Sequence, residues 1–80
     1  MRRRDQRREA VFALYQHDLT GQPLDEAIRR DAPPFTRALA HAVDDRREEL
    51  DPLIERHARE WSLDRIAPLE RAILRVALLE

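Results

Sequence analysis

The sequence predicts an all-α protein, a small helical bundle within a single domain. Its 80 residues are enough for one domain at most. The composition, with 42% hydrophobic and 39% charged residues but only 5% aromatics and one glycine, favours amphipathic helices and supplies few of the residues that strands prefer. Apolar residues also recur three and four positions apart along most of the chain, which is the spacing of one helix face.

The first helix is predicted over residues 3–20. Its apolar positions fall at intervals of three, four and eight residues from the first of them, and they are Val11, Leu14, Tyr15 and Leu19. Gly21 then offers a C-terminal stop, and Pro23 follows it. A shorter helix is predicted near residues 24–30, ending at the sequence DAPP because two prolines remove amide donors there.

A long apolar stripe begins at Phe35 and predicts the next helical segment. It consists of Phe35, Leu39, Ala42, Val43, Leu50, Leu53, Ile54, Ala58 and Trp61. Asp51 followed by Pro52 is typical of an N-cap and a first helical residue, so we expect a break near Leu50. The charged run DDRREE is expected to be the solvated outer face of this elbow.

The last helix is predicted to start after Ala67, with Pro68 in its first turn and Ile66 packing back onto it. Its apolar residues surround most of the helix, which is typical of a helix buried on most sides. One predicted core face contains Leu69, Ala72, Ile73 and Val76, whereas Leu74 and Leu78 point elsewhere. Glu80 offers no C-cap, so we expect a partner or further sequence to cover Leu74 and Leu78.

Several function classes are disfavoured by the composition. The chain has no cysteine, and its three histidines are far apart in sequence, so neither a metal nor another cofactor is predicted. No segment approaches the ~20 apolar residues of a membrane span, and the basic start lacks the apolar run of a signal peptide. We therefore expect a cytoplasmic protein without membrane association. No nucleophile–base set or glycine-rich phosphate loop is present, which argues against an enzyme.

The basic start is the most unusual feature of the chain. Residues 1–8 contain five arginines and one aspartate, a net charge of +4, whereas the whole chain carries −1. Cations at a helix N-terminus oppose the helix dipole by about 0.3–1 kcal/mol each, and like charges four residues apart repel. Arg3, Arg4, Arg7 and Arg8 lie in the same sector as the apolar stripe, so we expect the first two turns to project beyond the core.

A nucleic acid would relieve this repulsion. Guanidinium groups bind phosphates in bidentate fashion and stack on bases. Tyr15, at the junction of the cationic and apolar sectors, is then a second candidate for contact with a base, although an aromatic residue in a stripe is more often part of the core. A solvated arginine-rich tail is the alternative that the residues alone leave open.

Two separated segments carry a family resemblance. RRRDQRREAVFALYQHDLTGQ, residues 2–22, and WSLDRIAPLERAILRVALLE, residues 61–80, resemble the NusB family of transcription antitermination factors, and the intervening ELDPLIERH is similar to that family's acidic segment. The resemblance implies two small helical bundles that bind the boxA element of ribosomal RNA leaders together with the ribosomal protein NusE. It also implies indirect association with the RNA polymerase elongation complex, through the RNA and NusE.

The resemblance also implies roles for individual residues. Arg3, Arg4 and Arg7 match the basic start that contacts RNA, and Arg8 extends that run. Tyr15 matches a tyrosine near the RNA surface. The acidic residue at the start of the family's central helix matches Glu70, near the RNA and partner surface, and Leu74 and Leu78 are expected to bind a partner.

The resemblance covers residues 1–80 as an incomplete NusB-like domain, with residues 1–60 as the first bundle and residues 61–80 as the start of a second one. We therefore expect a truncated or minimal form that binds single-stranded RNA weakly and self-associates through its last helix. Two other interpretations remain open. One is the RNA-binding domain of a NusB-like ribosomal RNA methyltransferase, and the other is a helical module whose arginines dock an acidic protein.

Overall fold

The computed structural model describes residues 2–57 and 68–80, and all regular secondary structure within them is helical. This confirms the predicted all-α bundle. The helices are α1 (Arg3–Thr20), α2 (Leu24–Ala27), α3 (Pro34–Asp45), α4 (Arg47–His57) and α5 (Pro68–Leu79). The predicted roles of Ala58, Trp61 and Ile66 lie outside the described residues. No helix in the described ranges is long and apolar enough to cross a membrane.

Helix α1 has the bounds that the sequence predicts. Gly21 ends it in the left-handed conformation with φ 75°, and its N–H donates to the carbonyl of His17. Only glycine adopts this conformation without steric cost, which explains why the single glycine of the chain stands here.

The buried face of α1 differs from the predicted stripe. Ala10, Ala13 and Leu14 are buried in the core, and Tyr15 packs against the core while partly exposed. Leu19 is 57% exposed, so its assignment to the core stripe is wrong. The two alanines let α3 and α5 approach the α1 backbone closely, and the core face is therefore centred on them rather than on the larger residues.

The chain after α1 is less helical than predicted. Helix α2 is one turn long, because Ile28 takes an extended conformation with φ −82° and ψ 131°. This conformation brings the Ile28 side chain into the core beside that of Leu24. The predicted continuation to residue 30 is therefore wrong.

The elbow between α3 and α4 lies at Arg46, four residues before the predicted break near Leu50. It falls within the DDRREE run that was expected to form a solvated elbow. Pro52 lies inside α4 rather than at its start. Leu50 and Ile54 are buried on one face of α4, whereas Pro52 and Glu48 are exposed. The helix continues past Pro52 because the burial of Leu50 and Ile54 stabilises it, although the proline removes one backbone hydrogen bond on the exposed side.

Helix α5 begins at Pro68 as predicted and packs against α1, α3 and α4. Its buried residues are Ala72, Arg75 and Val76. Leu69 and Ile73 are 36% and 49% exposed, so their predicted place in the core face is wrong. Whether residues 61–80 also begin a second bundle stays a prediction.

A cluster of charged residues lies beside the apolar contact that Ala72 and Val76 of α5 make with the core. The guanidinium of Arg75 donates to both carboxylate oxygens of Asp51, at 2.7 and 3.0 Å. Asp18 on α1 accepts from Arg47 at 2.8 Å and forms an ion pair with Arg71 at 2.9 Å. Charged pairs this well buried fix the position of a helix because separating them leaves an uncompensated charge.

Candidate nucleic-acid interface

The four predicted RNA-binding arginines of α1 fall into two pairs with different surroundings. The guanidinium carbon of Arg3 lies 3.9 Å from the centroid of the Phe35 ring. The Nε of Arg7 donates to Oε1 of Glu80 at 2.9 Å. Both side chains therefore contact the chain's own fold.

Arg4 and Arg8 form the second pair. Both are exposed, and within residues 2–57 and 68–80 neither makes an ion pair. They lie four residues apart, and Tyr15 follows Arg8 by seven residues, so all three side chains occupy one sector of the helix. We call Arg4, Arg8 and Tyr15 the outer strip of α1. It combines two cations that have no ion-pair partner among the described residues with an aromatic residue that packs against the core.

The N-terminal turns of α1 do not project beyond the core, contrary to the sequence-based expectation. Thr36, which is buried, donates from Oγ1 to the carbonyl of Gln6 at 3.0 Å. This bond, the Arg3–Phe35 contact and the Arg7–Glu80 pair attach the first two turns to α3 and α5. The sequence could not reveal these contacts because each one joins residues at least 30 positions apart.

The predicted partner-binding residues lie on α5. Glu70, Leu74 and Leu78 are all exposed, and the two leucines are each 39% exposed. Leu74 and Leu78 are four residues apart and form one strip along the helix. The sequence predicted that the first helices would not bury Leu74 and Leu78, and both side chains are exposed in the structure.

A second exposed apolar strip on α5 was missed by the sequence reasoning. Leu69 and Ile73 share a flank with Glu80, because these residues are four and seven positions apart. Glu80 contacts Arg7, so this flank borders the start of α1, whereas Leu74 and Leu78 lie on the other side of α5, next to Arg71, which pairs with Asp18 near the end of α1. Arg75 lies three residues after Ala72 and next to Val76, so it shares their face of the helix. A sequence search for a charged residue among the apolar ones could therefore have indicated that this face is buried by ion pairing and that Leu69 and Ile73 lie beside it.

The acidic residues of α1 that form ion pairs do so with arginines of other segments and not with the arginines of the outer strip. Glu9, the next acidic residue after Asp5, pairs with Arg29 rather than with an α1 arginine. Asp18 pairs with arginines of α4 and α5. Across the described residues, no group of three histidines, aspartates or glutamates is placed to hold a metal ion. The exposed guanidinium groups of Arg4 and Arg8 are suited to binding an anion.

Comparison with known proteins gives the family. The NusB family model matches residues 4–80. The transcription antitermination protein NusB of Bacillus subtilis is 40% identical over 85 residues, which cover 100% of this chain and 65% of that protein. The Geobacillus kaustophilus protein of the same name is 39% identical with the same coverage. The Myxococcus xanthus protein of that name is 35% identical over 91 residues, and the matched region covers 98% of this chain and 65% of that protein.

The chain thus spans just under two thirds of the length of these curated relatives. No solved structure matches it. The family model covers nearly every residue, including the outer strip of α1 and the whole of α5. On these grounds the chain belongs to the NusB family.

Proposed function

We propose that this chain acts in transcription antitermination as a factor that binds boxA-type, single-stranded ribosomal RNA leader sequence together with the ribosomal protein NusE. The proposal takes its biological role from the relatives, each of which is named a transcription antitermination protein. The observation that carries it is the pair of exposed arginines, Arg4 and Arg8, which have no ion pair with residues 2–57 or 68–80, in a chain whose net charge is −1.

The outer strip of α1 is proposed as the RNA contact. Arg4 and Arg8 lie one helical turn apart, about 5.4 Å along the axis, and each guanidinium can hold one phosphate in bidentate fashion. Tyr15 lies two turns further along and offers the exposed part of its ring to a base. The function requires binding and positioning only, so no catalytic step is assigned to the chain.

NusE is proposed to bind on α5, where Glu70 provides an acidic contact and Leu74 and Leu78 provide apolar ones. Leu74 and Leu78 lie on the side of α5 opposite Glu80, the residue that contacts Arg7 at the start of α1, so we expect a protein bound there to leave the outer strip open to RNA. The RNA polymerase elongation complex is then reached indirectly, through this assembly. Self-association through the same leucines would compete with NusE for them.

A titration at two salt concentrations tests the RNA contact. Fluorescence anisotropy of a labelled boxA-type RNA is measured at 50 and 200 mM salt for the unmodified chain and for the double variant Arg4→Ala, Arg8→Ala. Each phosphate contact on a single strand contributes about 0.7 to the slope of log K against log salt. The double variant should therefore lower the slope by about 1.4, equivalent to roughly a sevenfold smaller loss of affinity across this range.

The matched control removes two arginines elsewhere. Arg30 and Arg46 are both exposed, and the pair between Arg46 and Glu49 is a surface contact of little value. The double variant Arg30→Ala, Arg46→Ala changes net charge by the same amount and should keep the slope of the unmodified chain. Equal slopes for all three proteins would refute the proposal and favour a helical module whose arginines dock an acidic protein.

A further inference from the structure

Phe35 lies directly beneath Arg3, a predicted RNA-binding arginine that is not part of the outer strip of α1. It is the second residue of α3, and its ring packs against the core while remaining partly exposed. The guanidinium carbon of Arg3 stands 3.9 Å from the centre of that ring, well within the range of a cation–π contact. The backbone beside the ring is anchored to α1, because neighbouring Thr36 is buried and donates to the carbonyl of Gln6.

This contact gives Arg3 a different role from Arg4 and Arg8. A guanidinium is planar, Arg3 is exposed as a residue, and one face of its guanidinium is taken by the Phe35 ring, so the opposite face is the one available to a ligand. Guanidinium planes are surfaces on which unstacked RNA bases stack. An arginine already held against a ring also loses less side-chain freedom on binding than an arginine that is free in solution.

We propose that Phe35 is a positioning residue that holds the Arg3 guanidinium flat, so that one RNA base stacks on its open face. Arg3 then contacts a base, whereas Arg4 and Arg8 contact phosphates. The order from the interior outwards is the Phe35 ring, the Arg3 guanidinium and the base. This inference rests on the proposed RNA-binding function.

The test is a double-mutant cycle on RNA affinity at fixed salt. Phe35→Leu keeps an apolar side chain but removes the ring, and should weaken binding of the boxA-type RNA about two- to fivefold, the range of an exposed cation–π contact. Phe35→Tyr keeps the ring and should bind like the unmodified chain. In an Arg3→Ala background, Phe35→Leu should cause no further loss, because the guanidinium that it positions is absent.

A second measurement separates base stacking from phosphate binding. RNAs with a single abasic nucleotide, placed at each position in turn, are bound to the unmodified chain and to Arg3→Ala. One abasic position should weaken binding to the unmodified chain by about fivefold or more, the lower limit for loss of one stacked base, and should have no effect on Arg3→Ala. Arg3→Ala should also leave the salt slope nearly unchanged, unlike the double variant at Arg4 and Arg8.

Each outcome decides the matter. Equal affinities of Phe35→Leu and the unmodified chain, additive losses in the double variant, or a salt slope that falls by about 0.7 in Arg3→Ala would overturn the role of Phe35 while leaving RNA binding intact. Absence of any binding by the unmodified chain would overturn the proposed function and this inference together. Circular dichroism of Phe35→Leu checks that the helical content is preserved.

Discussion

Replacing Asp18 by asparagine should destabilise the bundle more than any exposed charge change. Asp18 has only 12% of its side chain exposed and faces three arginines, with Arg47 at 2.8 Å, Arg71 at 2.9 Å and Arg75 at 3.8 Å. Asparagine preserves the shape of the side chain but removes its charge. The three guanidinium groups would then face each other without the carboxylate that α1 provides.

The magnitude follows from burial. Removing one partner of a buried ion pair costs about 3–5 kcal/mol, and the lower limit applies here because Arg47 is 37% exposed and Arg75 keeps its contact with Asp51. A chain of this length has a total stability of about 4–12 kcal/mol. A loss of about 3 kcal/mol in a domain of this size lowers the melting temperature by about 12–24 °C.

The assay is thermal unfolding followed by circular dichroism at 222 nm, with Asp31→Asn as the control. Asp31 is 84% exposed and reaches Arg29 only at 4.0 Å, so its replacement should change stability by less than about 0.5 kcal/mol. If Asp18→Asn melts within about 4 °C of the unmodified chain, the charged cluster does not hold α5 in place, and the reasoning is refuted.

Three further changes test other contacts. Glu80→Gln should raise the affinity for boxA-type RNA and steepen the salt slope by about 0.7, because Arg7 loses its carboxylate partner and becomes free for a phosphate; unchanged anisotropy titrations would contradict this. Gly21→Ala should cost about 1 kcal/mol in urea unfolding, since φ 75° strains any residue with a Cβ although nothing lies within 4 Å of it. Pro52→Ala should stabilise the chain by about 1 kcal/mol, the net value of one hydrogen bond, by restoring the amide donor inside α4, and a lower melting temperature would oppose this account.

Helix limits set by backbone chemistry could be predicted from the sequence. Gly21 ends α1 because glycine readily adopts a positive φ, and Pro68 begins α5 because the fixed φ of proline suits the first turn of a helix. Both effects are local to the residue. The elbow could not be placed in this way. Asp51 and Pro52 form a good local start signal, but burial of Leu50 and Ile54 on either side of that signal favours an uninterrupted helix.

The buried face of a helix is harder to predict when apolar residues surround it. Leu69 and Ile73 are as hydrophobic as the core residues, yet α5 buries Ala72, Arg75 and Val76 instead. Arg75 is buried because Asp51 and Asp18 meet it there, and those residues come from α4 and α1. Such long-range charge pairing leaves no periodic signal in the sequence.

The candidate site was predictable in its residue types and less so in its geometry. Charge density alone identified the arginine-rich start of α1. It could not distinguish Arg3 and Arg7, which contact Phe35 and Glu80, from Arg4 and Arg8, which make no ion pair with the described residues. That distinction depends on where α3 and α5 lie relative to α1.

The most direct test of the central claim is a nuclear magnetic resonance titration of the isotope-labelled chain with boxA-type single-stranded RNA. If the outer strip of α1 binds RNA, the largest chemical-shift changes should fall at Arg4, Arg8 and Tyr15 and should weaken as salt is raised. The basic residues between α2 and α3, including Arg30, should shift little. Shifts concentrated around Arg30 and Arg37, or no shifts at any RNA concentration, would contradict the claim that this face of α1 binds nucleic acid.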